Sequence, residues 1–152
     1  MAHENVGMVV VSDITGDTTD IHPKNKHDVG YRLANWALSE TYHKNDIVYK
    51  SPVYRSIDIQ KDKAIIFFDN ATTGLMSKDK NITALFIAGA DKIFYPAMSK
   101  IEGDKLIVWS KDVPQPAAVR FSFTNAGVGN LFSKEGLPVA PFRTDDWELA
   151  SK

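Results

Sequence analysis

Apolar and polar positions change rhythm twice along this chain. Met8-Val9-Val10-Val11 is an unbroken apolar run, which predicts a short buried strand. From about Lys24 the rhythm becomes helical: Val29, Leu33, Trp36 and Ala37 recur at i, i+4, i+7 and i+8, the buried stripe of an amphipathic helix. Lys24, Lys26, Asp28, Arg32, Asn35 and Glu40 fall mainly off that stripe and are expected to face water. From Ile47 the pattern shifts to short strands with regular turn signals. Val53, Ile57 and Ile59 sit at even spacing with Ser56 and Asp58 on the opposite face, and Lys61-Asp62-Lys63 turns the chain into the buried run Ala64-Ile65-Ile66-Phe67-Phe68. Residues 70–80, with Gly74, read as a loop, followed by an apolar strand over residues 83–88. Pro96 places the segment 93–101 at an edge or a bulge. Glu102-Gly103-Asp104-Lys105 is a hairpin turn into Leu106-Ile107-Val108-Trp109, and one more strand is expected over residues 117–123.

Strands at this spacing, with no helices between them, predict a mainly β chain: an antiparallel β-sandwich, Ig-like or jelly-roll-like. A strand–loop–helix unit precedes it. The expected division is 1–46 for that unit, 47–145 for the sandwich and 146–152 for a tail. Phe67, Phe86, Trp109, Phe121 and Phe123 are read as sandwich core, a sugar-stacking platform being the rarer use of such residues. The helix stripe needs a covering surface. Downstream strands could supply it, or a second copy of the chain could, giving a homo-oligomer; left bare it would be an association patch.

Composition narrows the function classes. With 152 residues, 43% hydrophobic and 24% charged, the chain can build a real core and is not of disordered type. A formal net charge of -1 gives no broad electrostatic footprint for nucleic acid. No cysteine is present, so disulfides and thiolate metal sites are excluded, while the compartment stays undecided. No apolar run reaches the length of a membrane span, and the first residues show no signal-peptide pattern.

Candidate chemistry centres on Asp20-Ile21-His22-Pro23, where the first strand's exit loop meets the helix start. Pro23 keeps His22 out of the helical region and suits the first helical position. The imidazole is then expected near the positive end of the helix dipole, which favours the neutral form that a general base requires. Residues two apart in an extended segment face the same side, so Asp20 could hold one tautomer, giving two members of a Ser-His-Asp arrangement. The plainer reading is a solvated loop histidine beside an N-capping acid. Elsewhere the signals are thin. His22 and His27 do not match zinc-protease spacing, His43 at the helix end would complement the dipole, and His3 falls in the terminus. Asp145, Asp146 and Glu148 read as a solvated acidic tail, and the glycines of residues 125–130 lack the spacing of a phosphate loop.

The run Asp20-Ile21-His22-Pro23-Lys24-Asn25-Lys26, with Val29-Gly30 and Arg32-Leu33-Ala34, resembles the last histidine block of the sialate O-acetylesterases, serine esterases of the SGNH hydrolase class. The likeness continues through Ile47-Val48-Tyr49, Ser51-Pro52-Val53-Tyr54, Ile87-Ala88-Gly89-Ala90-Asp91-Lys92 and Ala118-Val119-Arg120-Phe121. It ends with Gly136-Leu137-Pro138 and Pro141-Phe142-Arg143-Thr144-Asp145. The resemblance implies that His22 is the catalytic base, with Asp20 as orienting acid and Asp17 as fallback, because the class usually places its acid where Thr19 stands. It also implies that residues 1–46 are the end of an α/β hydrolase domain. The nucleophile block Gly-Asp-Ser is absent, Gly16-Asp17-Thr18 being its nearest echo. The expectation is therefore a C-terminal piece of a larger esterase, inactive alone and needing an upstream SGNH region. Its substrate would be acetylated sialic acid or another acetylated sugar, with no cofactor or metal. The parent would be periplasmic or secreted. Asn130 and Arg143 are the substrate-side candidates, placed by the resemblance near the junction with the hydrolase part; the alternative for both is a solvated connecting loop. The competing reading of the whole chain is a non-catalytic β-sandwich that binds carbohydrate or stabilises an assembly.

Overall fold

The computed structural model describes residues 6–14, 20, 22 and 24–148. Among the described residues one helix, α1 (Lys26–Glu40), precedes ten strands: β1 (Val53–Gln60), β2 (Lys63–Asp69), β3 (Leu75–Ser77), β4 (Leu85–Ala88), β5 (Phe94–Pro96), β6 (Met98–Glu102), β7 (Lys105–Trp109), β8 (Ala118–Phe121), β9 (Leu131–Ser133) and β10 (Phe142–Arg143). The strands form two four-stranded sheets, ordered β1-β2-β7-β6 and β10-β8-β4-β5, and a small β3-β9 pair. Every pairing is antiparallel. The mainly β, antiparallel sandwich expected from the turn spacing is what the chain forms.

Period-2 alternation builds the core. In β2, Ala64, Ile66 and Phe68 are buried while Ile65 and Phe67 are half-exposed, so the run expected to be buried throughout shows one face only to the core. Phe142 ties the sheets together: its ring lies 5.4 Å from Tyr54, 5.6 Å from Phe68 and 5.8 Å from Phe121. Of the five aromatics read as core, Phe121 is fully buried; Phe67, Phe86 and Trp109 are half-buried and Phe123 is exposed. The full burial falls instead to Phe68, Phe132 and Phe142, because strand phase rather than ring size decides which face a residue takes. Pro96 ends β5, an edge strand that needs no further partner for its nitrogen. Glu102 pairs with Lys105 across a two-residue hairpin in which Gly103 has φ +64, a conformation glycine adopts at no steric cost.

Three expectations before the sandwich are corrected. Met8-Val9-Val10-Val11 lies outside any strand and is partly exposed, since an apolar run becomes a strand only where another strand offers it a ladder. The helix begins at Lys26, not Lys24, because Asn25 is the N-cap: its Oδ1 accepts from the Asp28 N–H at 3.1 Å while its Nδ2 donates to Asp28 Oδ2 at 2.8 Å. Pro23 lies outside the described residues. The stripe is also displaced: Arg32 and Asn35 are the buried helix residues, Leu33 is exposed, and Val29, Trp36 and Ala37 are half-buried. Trp36 lies on the backbone of Gly7, where any side chain would overlap the indole. The helix thus packs on the segment before it, and it is not among the closely packed element pairs of the sandwich. Within the sandwich, the loop expected over residues 70–80 contains β3, which pairs with β9.

Candidate functional site

His22 and Asp20 lie together, with His22 at a bend rather than in the extended segment expected. The His22 backbone N–H donates to Asp20 Oδ1 at 2.8 Å, and His22 Nδ1 lies 3.3 Å from the same oxygen. A carboxylate oxygen can only accept, so this contact places the ring proton on Nδ1 and leaves the Nε2 lone pair free. The imidazole is 81% exposed and Asp20 38%. The ring therefore has an open side from which a hydroxyl could approach. The 3.3 Å separation is longer than a tight hydrogen bond. Asp17, Thr18 and Thr19, with the Gly16-Asp17-Thr18 echo, lie outside the described residues, as does His3.

The loop bearing this pair is closed at its base by an ion pair that sequence reasoning missed. Arg32 on α1 donates from Nη1 and Nη2 to the two oxygens of Asp13 at 2.7 and 2.8 Å, and from Nη1 to the Val10 carbonyl at 2.7 Å. Both side chains are buried, at 8% and 5% exposure. The Asp13 carboxylate holds the Arg32 guanidinium above its ordinary range. Arginine's planar fork suits such two-point contact. The pair fastens the segment before the His22 loop to the helix after it. No periodicity signals it, because the partners are 19 residues apart.

Removing one member of a buried pair leaves an uncompensated charge, a cost of about 3–5 kcal/mol. Arg32→Ala is expected to release residues 6–14 from the helix, read as faster amide exchange there by mass spectrometry. Amides of β2 and β7 should keep their protection. Arg32→Lys should fail to restore the segment, since an ammonium cannot span both oxygens.

At the other end of α1, Tyr49 and Lys50 bind Glu40 at 2.5 and 2.9 Å, tying the helix end to the strand lead-in. The hydrogen bond from Tyr49, then that from Lys50, holds the Glu40 carboxyl below its usual range.

Asn130 and Arg143 are both placed within the sandwich. Asn130 is buried: its Oδ1 accepts from the Thr83 N–H at 2.9 Å, and its Nδ2 donates to Asp79 Oδ2 at 2.9 Å and the Asn81 carbonyl at 2.8 Å. It stitches two loops together, contrary to a solvated connecting loop, and both amide hydrogens are committed. Arg143 donates to the Trp147 carbonyl at 3.1 Å and lies 5.6 Å from the Phe123 ring. Asp145, read as solvated, is 1% exposed and accepts from Arg120 Nε and Nη2 at 2.9 and 2.7 Å. The tail reading fails there because β8 supplies a guanidinium opposite it. Among the described residues no group of three His, Cys, Asp or Glu could hold a metal ion, and no helix is long and apolar enough to cross a membrane.

No family model matches this chain, and no curated protein sequence matches it. Among solved structures it is similar to the crystal structure of a carbohydrate acetylesterase from Xanthomonas citri, with 41% sequence identity and a TM-score of 0.85. The match covers 91% of this chain and 32% of that chain. The present chain thus spans about a third of the length of the structure it matches. The likeness is one of sequence as well as fold, and it ties the chain to a carbohydrate esterase.

Proposed function

We propose that this chain is the histidine-bearing part of a serine carbohydrate acetylesterase of SGNH type. Its substrate class is an O-acetylated sugar, sialic acid or a related one. His22 Nε2 takes the proton of a serine hydroxyl as that oxygen attacks the acetyl carbonyl, and it returns the proton to the departing sugar oxygen. In the second half-reaction the same nitrogen activates the water that releases acetate. Asp20 keeps the ring proton on Nδ1 and stabilises the imidazolium formed at each step. The serine and its oxyanion donors come from sequence outside these 152 residues. Residues 1–46 belong with that catalytic part, residues 47–145 are the accessory sandwich and 146–152 its tail.

The observation that carries this reading is the paired and open imidazole: Nδ1 against Asp20 at 3.3 Å, with the ring 81% exposed. A buried or unpaired ring could not serve. The relation to a carbohydrate acetylesterase supplies the reaction class. The test is a graft, in which this chain replaces the matched portion of the Xanthomonas citri enzyme. The graft should hydrolyse p-nitrophenyl acetate and release acetate from an acetylated glycan, while the 152-residue chain alone stays at the buffer rate. A folded graft without activity, or full activity in the isolated chain, contradicts the proposal.

A further inference from the structure

We propose that the outward face of α1, with the apolar segment ahead of it, is a docking surface whose occupant is the serine-bearing part of the same esterase. The inference rests on the function proposed above and adds where the two parts meet. The polarity of α1 is reversed. From Val29 to Ser39 the exposed residues are Gly30, Tyr31, Leu33, Ala34 and Leu38, none of them charged, while Arg32 and Asn35 are buried. A helix that ends at water puts its charges on the open side and its aliphatic stripe inside. Here the exposed ionisable groups sit only at the helix ends: Lys26 and His27 in the first turn, and Glu40 in the last, where it binds Tyr49 and Lys50.

The segment ahead of the helix repeats the pattern. Gly7 lies against the Trp36 indole, while its neighbours Val6 and Met8 are exposed, Met8 by 87%. The Val10 carbonyl accepts from Arg32 and the Val11 carbonyl from the Ile14 N–H. Among the described residues the backbone groups of Met8 and Val9 bond to nothing. An apolar stretch with open backbone groups is what a neighbouring strand binds. Gly30 points the same way. Nothing lies within 4 Å of where its Cβ would stand, and a glycine inside a helix destabilises it relative to alanine. With Ala34 one turn on, it lets another element approach the helix backbone closely.

The occupant follows from what lies outside these 152 residues. The match takes 32% of the carbohydrate acetylesterase chain, which leaves about two thirds of it without a counterpart here. His22 stands three residues ahead of the N-cap Asn25, so whatever carries a serine to its Nε2 comes against the start of α1. The sandwich leaves the face open, since α1 is not among its closely packed element pairs. A second copy of this chain could cover the helix but carries no Gly-Asp-Ser block. The serine-bearing part answers both needs, with a strand beside Met8 and Val9 and an uncharged layer over Tyr31, Leu33 and Leu38.

Hydrogen exchange by mass spectrometry, on the graft and on the 152-residue chain, tests the surface. Amides of residues 8–11 and of α1 should exchange roughly tenfold more slowly in the graft, with β2 and β7 unchanged. Leu33→Glu with Leu38→Glu should leave the melting temperature of the 152-residue chain unchanged and abolish the added protection in the graft. If the glutamates prevent the graft from folding, the milder Tyr31→Ala with Leu38→Ala should still lower its melting temperature by roughly 5 °C, and not that of the chain alone. Unchanged exchange in a folded graft overturns the proposal. So does sedimentation showing that the 152-residue chain dimerises and that Leu33→Glu with Leu38→Glu makes it monomeric, since the occupant is then a second copy. A graft that is protected but inactive contradicts the proposed function and leaves the docking surface standing; one that is active but unprotected does the reverse.

Discussion

His22→Ala is expected to lower acetyl-ester hydrolysis by the grafted enzyme by roughly 10⁴- to 10⁶-fold, the upper figure being what a serine hydrolase triad loses without its histidine. The loss should fall on kcat and leave KM nearly unchanged, because the imidazole acts on the proton moving in the transition state rather than on the bound sugar. Its exposure makes this a clean change: a ring 81% in water contributes little to packing, so stability should stay within about 0.5 kcal/mol. Asp20→Asn should cost less, on the order of 10²-fold. It removes the charge that stabilises the imidazolium and lets the amide favour the wrong tautomer, while a contact of 3.3 Å in a partly solvated setting carries less than a buried one. Steady-state rates on p-nitrophenyl acetate, with thermal melts as the fold control, check both.

Asp145→Ala should destabilise the sandwich by about 3 kcal/mol, which for a fold of this size lowers the melting temperature by roughly 10 °C. Asp145 is 1% exposed and Arg120 18%, so the arginine left behind would be largely buried without its partner. The damage extends further than one pair. Asp145 also accepts from the Trp147 N–H at 3.3 Å, the Arg120 guanidinium lies 4.1 Å from the Phe94 ring, and Trp147 packs on Phe94 at 5.8 Å. Residues 145–148 should loosen together. The hydrogen bond from Arg120 holds the Asp145 carboxyl below its ordinary value of 3.8. The folded state thus binds the proton less readily than the unfolded one. The stabilisation is complete above about pH 4 and is lost as pH falls through the lower folded value. Asp145→Asn should flatten that acid limb, and melting curves recorded from neutral to acid pH would show it.

What was legible in the sequence was local. Strand alternation has a period of two residues, so the faces of β2 and β7 follow from six residues at a time. Asp20 and His22 are two apart, and so short a separation lets the carboxylate reach both the backbone N–H and the ring of His22. Contacts between distant residues left no such trace. Leu75-Met76-Ser77 becomes a strand because Leu131-Phe132-Ser133 lies beside it, and nothing within residues 70–80 announces that partner. Helix phase alone turns Arg32 toward water, yet Asp13 draws it inward. Met8-Val9-Val10-Val11 was apolar enough for a strand and lacked only a neighbour. Asp145 shows the same limit from the polar side: a carboxylate among acids reads as solvated until Arg120 is brought against it.

The central claim is that His22 is the base for acyl transfer, and the first turnover tests it most directly. Stopped-flow mixing of the graft with excess p-nitrophenyl acetate isolates the attack on the carbonyl. The account predicts rapid release of the first equivalent of p-nitrophenol with His22 in place, and release slowed by roughly 10⁴- to 10⁶-fold in His22→Ala. Equal first-turnover rates in the two proteins would contradict it.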